Sequence, residues 1–205
     1  IGQASSGNYK LTTEAASFTR IFDAWGQSGK ISLVLPYAEL TGTGKLGSQT
    51  INASSEGLSD PLIKASVNLY GAPALTLDQF KNYQQDLIIG ASLAASIPWG
   101  QYNSQQMLNV GANRWFIQPG LGASKAIGPW RFELAGAATI YTNNNSFLGG
   151  NTLTQNPIYS TQTHAIYYFP NTAWLSADAT YYFGGQTFLN GTPVGGQQEN
   201  WRFGA

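Results

Sequence analysis

The stretch 129–145, PWRFELAGAATIYTNNN, decides between two fold classes. Phe132, Leu134, Gly136, Ala138 and Ile140 share one parity and are all apolar or small, whereas Arg131, Glu133, Thr139 and Tyr141 share the other. Successive side chains of a strand point to opposite faces, so this is a β-strand with one apolar and one polar face. If the apolar face covers a core, the chain is a soluble β-sandwich or barrel. If it meets lipid, Arg131 and Glu133 line the lumen of a transmembrane barrel.

Composition favours lipid. Charged residues make up 10% of the 205 residues, against about 25% in soluble domains. Aromatics make up 13%, glycine occurs 24 times and the formal net charge is +0. So few charges cannot cover a water-facing surface. The length suits one domain, 1–205, with room for a large core. Without a basic excess, no electrostatic footprint for nucleic acid exists. The most apolar segment, LIIGASLAASIPWG (87–100), is short and broken by Ser92 and Ser96, which excludes a transmembrane helix. The absence of cysteine excludes disulfides, thiolate metal sites and cysteine nucleophiles. The chain opens at Ile1 without a signal peptide and stops at NWRFGA (200–205), which reads as a strand cut short. A barrel domain truncated at both ends is the expectation.

Strand-like segments recur at 11–24, 30–41, 59–70, 85–97, 112–125, 131–142, 159–168 and 173–183, with a last partial strand at the end. About nine strands are therefore expected. The connections alternate in length. WGQSG (25–29), AIGPW (126–130) and FPNT (169–172) are tight, while 42–57, 98–110, 143–157 and 184–198 are polar loops. A short helix is expected after Thr76, with Asp78 in its first turn. Short turns alternating with long loops mark an outer-membrane meander, and strands of about 10–14 residues suit a tilted bilayer crossing.

Parity repeats along the chain. Leu175, Ala177, Ala179, Tyr181 and Phe183 oppose Ser176, Asp178, Thr180 and Tyr182; Leu87, Ile89, Ala91 and Leu93 oppose Asp86, Gly90 and Ser92. Ile63, Val67 and Leu69 oppose Lys64, Ser66 and Asn68, and Trp115, Ile117, Leu121 and Ala123 oppose Arg114, Gln118 and Ser124. Tyr37, Trp99, Trp130, Tyr141, Tyr159, Tyr167, Phe169 and Trp174 lie near strand ends, the position of an aromatic girdle. The predicted fold is an all-β, antiparallel, meandering transmembrane β-barrel, with the apolar face toward the lipid bilayer. Pro36 and Pro119 fall inside proposed strands, where a missing N–H calls for bulges or strand ends. The first strand alternates poorly, since Phe18 and Phe22 share a parity with Glu14 and Arg20.

The chain resembles the family labelled MetA-pathway of phenol degradation, transporters of the Gram-negative outer membrane. The resemblance rests on LVLPY (33–37), GLSDP (57–61), SIPWGQY (96–102), NVGANRW (109–115), QPGLGASKAIGPWRFEL (118–134), TNNNSFLGG (142–150), QNPIYSTQTH (155–164), WLSADATYYFGG (174–185) and WRFGA (201–205), in that order. It implies a barrel of about twelve strands, with further chain before Ile1 and after Ala205. It supplies no catalytic residues.

No catalytic or metal-binding constellation is expected, and no cofactor. His164 is the one histidine, and Ser160 stands about 13 Å from it along the same strand face, too far for a direct hydrogen bond. GTGKLG (42–47) lacks the spacing of a phosphate loop. The expected lumen residues are Arg114, Arg131, Glu133, Lys64, Asp86, Asp178, Tyr182, His164, Glu14 and Arg20, with Phe116 and Tyr70 beside them. Charges there pair across strands or select solutes in a constriction. Three functions follow: a channel for small solutes such as aromatic compounds, a structural barrel whose loops bind partners, or a membrane hydrolase, which the missing Ser–His pair disfavours.

Overall fold

A computed structural model describes residues 7–46, 49–171 and 173–205 of the chain. In chain order its elements are β1 (Gly7–Ala24), β2 (Gln27–Leu46), β3 (Gln49–Leu58), β4 (Leu62–Tyr70), α1 (Leu77–Phe80), β5 (Leu87–Ser96), β6 (Phe116–Ile127) and β7 (Trp130–Tyr141). There follow β8 (Asn144–Phe147), β9 (Asn151–Gln155), β10 (Ile158–Tyr168), β11 (Trp174–Gly184), β12 (Thr187–Leu189), β13 (Thr192–Val194) and β14 (Gln198–Gly204). The main sheet runs β1-β2-β4-β5-β6-β7-β10-β11-β14 and is antiparallel throughout. β3 pairs the far half of β2, so β3 and β4 are one strand interrupted at 59–61. The result is an all-β meander curled into a half-barrel wall, with the expected nine positions across it.

The short turns form as their residues dictate. Trp25 and Gly26 connect Ala24 to its partner Gln27, both with positive φ (54° and 83°), as a two-residue hairpin turn requires. The Gly26 N–H donates to Asp23 Oδ1 at 2.6 Å. Thr76 caps α1: its hydroxyl accepts from the Gln79 N–H, and the Gln79 side chain accepts from the Thr76 N–H at 3.0 Å. Thr172 of the FPNT turn, like Ile1 and Gly47, lies outside the described residues.

Among the described residues no dry core joins two sheets. Among the described residues the buried apolar side chains are Ala24, Ala38, Ala72 and Ala94 alone. Leu134, Ile140, Leu175 and Ala177 instead lie exposed on one face, with Leu134 at 56% and Leu175 at 61% of full exposure. Ile89 is exposed as well, while Leu87 on the same face is half-buried opposite Lys125. An exposed apolar face of this extent needs lipid or another apolar partner. The opposite face borders one cavity shared by side chains of β2, β4, β5, β6, β7, β10 and β11, so the polar side is concave. On the convex side of β2, Ile31, Leu33, Leu35 and Tyr37 give way to Glu39 and Thr41, which face Glu56 and Ser54 of β3. That change marks where the apolar band ends.

Two expectations are corrected here. Pro36 and Pro119 sit in regular register rather than at bulges. The Pro36 carbonyl accepts from the Ser59 N–H at 2.9 Å, so its missing donor points toward 59–61, where the partner strand is interrupted. Beside Pro119, the β6–β7 pairing lapses between Ile117↔Ile140 and Gly120↔Ala137 and resumes in the same register, because only one ladder bond is lost. The loops are also less irregular than expected. Most of 42–57 extends β2 and β3, and 143–157 and 184–198 supply a second sheet, β13-β12-β9-β8.

Candidate functional site: the lumen face

Cross-strand register builds rows of side chains on the concave face. Ser124, Glu133, His164 and Asp178 stand opposite one another across β6, β7, β10 and β11, with direct neighbours about 4.5–5.5 Å apart at Cβ. Ser124 accepts a bond from Gln85 Nε2 at 2.7 Å and donates to Glu133 Oε1 at 3.2 Å. His164 Nδ1 bonds Asp178 Oδ1; because a carboxylate accepts, the proton of that bond is on Nδ1, and an imidazole in this tautomer offers Nε2 as an acceptor. A second row runs Lys30, Ser66, Ser92, Gly120, Ala137, Ser160 and Tyr182. Lys64 lies opposite Ser32, and Gln118 Nε2 donates to Thr139 Oγ1 at 2.7 Å. Lys30, Lys64, Gln118, Ser124, Glu133 and His164 are among the residues that line a concavity of about 470 Å³.

The β5–β6 loop is tied across the long-loop end of the wall. Both oxygens of the Asp60 carboxylate accept from it, from the Gly100 N–H at 2.8 Å and the Ala112 N–H at 2.7 Å. Ser59 Oγ donates to the Val110 carbonyl, and the Gln101 N–H to the Leu58 carbonyl at 2.7 Å. On the far side, fully buried Asn144 accepts from Asn113 and donates to the Tyr102 hydroxyl at 3.0 Å. The loop therefore bridges β3 to the smaller sheet.

The cavity brings together Lys64, Glu133, His164 and Tyr182 of the expected residues, with Asp178 behind His164. Arg114 stands apart at the long-loop end, its guanidinium 4.4 Å over the Tyr141 ring and donating to Gln155 Oε1 at 2.6 Å. Tyr141 thus faces the lumen beside Phe116 rather than joining a girdle. Arg131 sits at the short-turn end, donating to the Tyr168 hydroxyl at 3.0 Å. Asp86 is no lumen group: it pairs with Lys125 at the short-turn rim, with 79% of its side chain exposed.

Glu14 and Arg20 are misassigned. β1 pairs with β2 without a break from the Trp25–Gly26 turn, placing Glu14 opposite Tyr37 and Arg20 opposite Ile31, on the convex face. Tyr70 is corrected for a different reason, since a bulge at Leu69 places it opposite Ile89, again on the convex side. Ser160 and His164 make no bond with each other among the described residues; Ser160 stands opposite Ala137 and Tyr182. Lys30, missed in the sequence, was signalled by sharing the parity of Ser32 against Ile31 and Leu33.

The family model for MetA-pathway of phenol degradation matches residues 2–205. No curated protein matches the chain. Among solved structures, an outer-membrane channel from Pseudomonas putida F1 is similar in fold, with a TM-score of 0.76 and 21% identity over 96% of this chain and 70% of that one.

Proposed function

The chain belongs to the MetA-pathway of phenol degradation family, and from that premise we propose that it walls an outer-membrane channel for small solutes, single-ring aromatic compounds among them. The observation that carries this reading is one sheet with an apolar convex face and a polar, cavity-bearing concave face. Such a wall has lipid on one side and a water-filled path on the other. The aromatic preference rests on the family's link to phenol degradation. Among the described residues β1 and β14 each pair on one side only, and hydrocarbon tolerates no open sheet edge. Further strands are thus required to close the barrel. The proposal assigns transport and no catalysed reaction.

Proteoliposomes carrying the full-length protein are expected to take up benzoate and arabinose faster than empty vesicles. Uptake no faster than in empty vesicles contradicts the channel and favours a structural barrel whose Gly-, Asn- and Gln-rich loops bind partners.

Arg114 is the residue we assign to charge selection at the extracellular mouth. Its partners are Tyr141 and Gln155, and it forms no ion pair among the described residues. Burial lowers its pKa, partly offset by Tyr141, yet a guanidinium stays charged at any working pH. Arg114→Glu is expected to shift the reversal potential in a salt gradient toward cations and to slow benzoate uptake, with the barrel still folded. Unchanged ion preference and uptake in a folded variant make Arg114 a structural residue.

A further inference from the structure

The lumen cavity holds opposite charges on opposite walls. Lys30 of β2 and Lys64 of β4 are diagonal neighbours, since Lys30 faces Ser66 and Lys64 faces Ser32. Both are exposed, and neither forms an ion pair among the described residues. Glu133 of β7 and His164 of β10 stand side by side across the same cavity, with Asp178 behind the histidine. Between the two groups lie β5 and β6, whose inward positions include Gly90, Gly120 and Gly122. A methyl group at Gly120 would come within 3.0 Å of Ser92 Oγ, and one at Gly90 within 3.0 Å of Asn68 Oδ1. Glycine therefore keeps the floor between the charges flat.

The span has a size. From β4 to β7 there are three inter-strand steps, about 14 Å across the strands. Glu133 is set six residues along β7 from Thr139, which stands in the row of Lys64, about 20 Å more along the strand. The two therefore lie roughly 20–25 Å apart at the backbone. The lysine and glutamate side chains project inward from the two ends of this span and leave a gap of roughly one aromatic ring with its substituents. A simple anion in this gap meets Glu133 as well as the lysines, and a simple cation meets the lysines as well as Glu133. A solute with an anionic group at one end and a hydrogen-bond donor at the other satisfies both walls. Paired charges across a confined cavity also orient such a solute on arrival.

Resting on the channel reading above, we propose that this cavity is a binding site for a single-ring aromatic carboxylate that carries a hydroxyl across the ring. The carboxylate sits at Lys30 and Lys64. The hydroxyl donates to Glu133 or to Nε2 of His164, and the ring lies over the glycine floor. The lysines remain exposed to water, which keeps the site weak enough to release what it binds, as conduction requires.

Uptake by proteoliposomes holding the full-length protein tests this, with 4-hydroxybenzoate, benzoate and arabinose as probes at neutral pH. 4-Hydroxybenzoate uptake is expected to saturate, with a half-saturation concentration about tenfold below that of benzoate, the discrimination one charge-assisted contact supplies. Lys30→Gln with Lys64→Gln should raise the half-saturation of both carboxylates about tenfold, far more than it changes arabinose uptake. Lys30→Arg with Lys64→Arg should preserve the parent's behaviour, which separates loss of charge from loss of fold. Glu133→Ala with His164→Ala should abolish the advantage of 4-hydroxybenzoate over benzoate. If the parent passes arabinose and benzoate but does not prefer 4-hydroxybenzoate, if the preference survives Glu133→Ala with His164→Ala, or if Lys30→Gln with Lys64→Gln leaves carboxylate half-saturation unchanged, the site is overturned and the channel stands. If the parent passes none of the three, the channel reading itself falls, and the site with it.

Discussion

Leu134→Arg is expected to cost about 2–4 kcal/mol of folding free energy in bilayers, because hydrocarbon cannot solvate a guanidinium near the midplane. Leu134 lies in the middle of β7, opposite Ala123 and Thr163, and is 56% exposed on the convex face. Its neighbour Ala135 faces the lumen, opposite Gly122 and Gln162. Ala135→Arg should therefore cost far less, since water reaches that side. Urea titration of folding into phospholipid vesicles reads both values on one scale. Equal folding of Leu134→Arg and the parent would mean that the sheet is assigned the wrong way round.

Asp60→Ala is expected to free the β5–β6 loop. The carboxylate holds the two ends of that loop through the Gly100 and Ala112 amides, and hydrogen bonds to an ionised acceptor contribute about 1.5–3 kcal/mol each. Some of this is recovered from water at a partly exposed site, so a net local loss of about 2–4 kcal/mol follows. Amide exchange at Gly100, Gly111 and Ala112 should accelerate by roughly two to three orders of magnitude. Exchange within β7 should not change. Asp60→Asn keeps an acceptor and should fall between the two. Unaltered exchange at Gly100 and Ala112 in the alanine variant would assign the loop's order to Asn144 and Ser59 instead.

The wall was legible in the sequence wherever parity was clean. In β7 and β11 the apolar positions recur at every second residue, and period two survives even where two of five are glycine or alanine. β1 was harder, because Phe18 and Phe22 share a face with Glu14 and Arg20. Counting back from the two-residue turn at Trp25–Gly26 fixes that strand, as the turn forces Ala24 opposite Gln27. The extension of β2 and β3 was hidden by its Gly, Ser, Thr and Asn content, which reads as loop by composition. Asn190-Gly191 and Gly149-Gly150 did carry a hairpin signal, and their positive φ values fit it. The grouping of Lys30 and Lys64 against Glu133 and His164 was not legible. It depends on register between strands distant in sequence, which no pattern within one strand encodes. Tyr70 shows the same limit at a smaller scale, where one bulged residue reverses a face.

The most direct measurement of sidedness is single-cysteine labelling along β7, since residues 1–205 contain no cysteine to compete with the introduced one. Spin labels placed one at a time from Phe132 to Ile140 of the full-length protein in bilayers report collisions with lipid-soluble oxygen and with a water-soluble nickel chelate. A wall with lipid outside and water inside gives a period of two. Labels at Phe132, Leu134, Gly136, Ala138 and Ile140 collide with oxygen, and those at Glu133, Ala135, Ala137 and Thr139 with nickel. Labels at the first set shielded from both reagents, as in a dry core, or the alternation reversed, would contradict it.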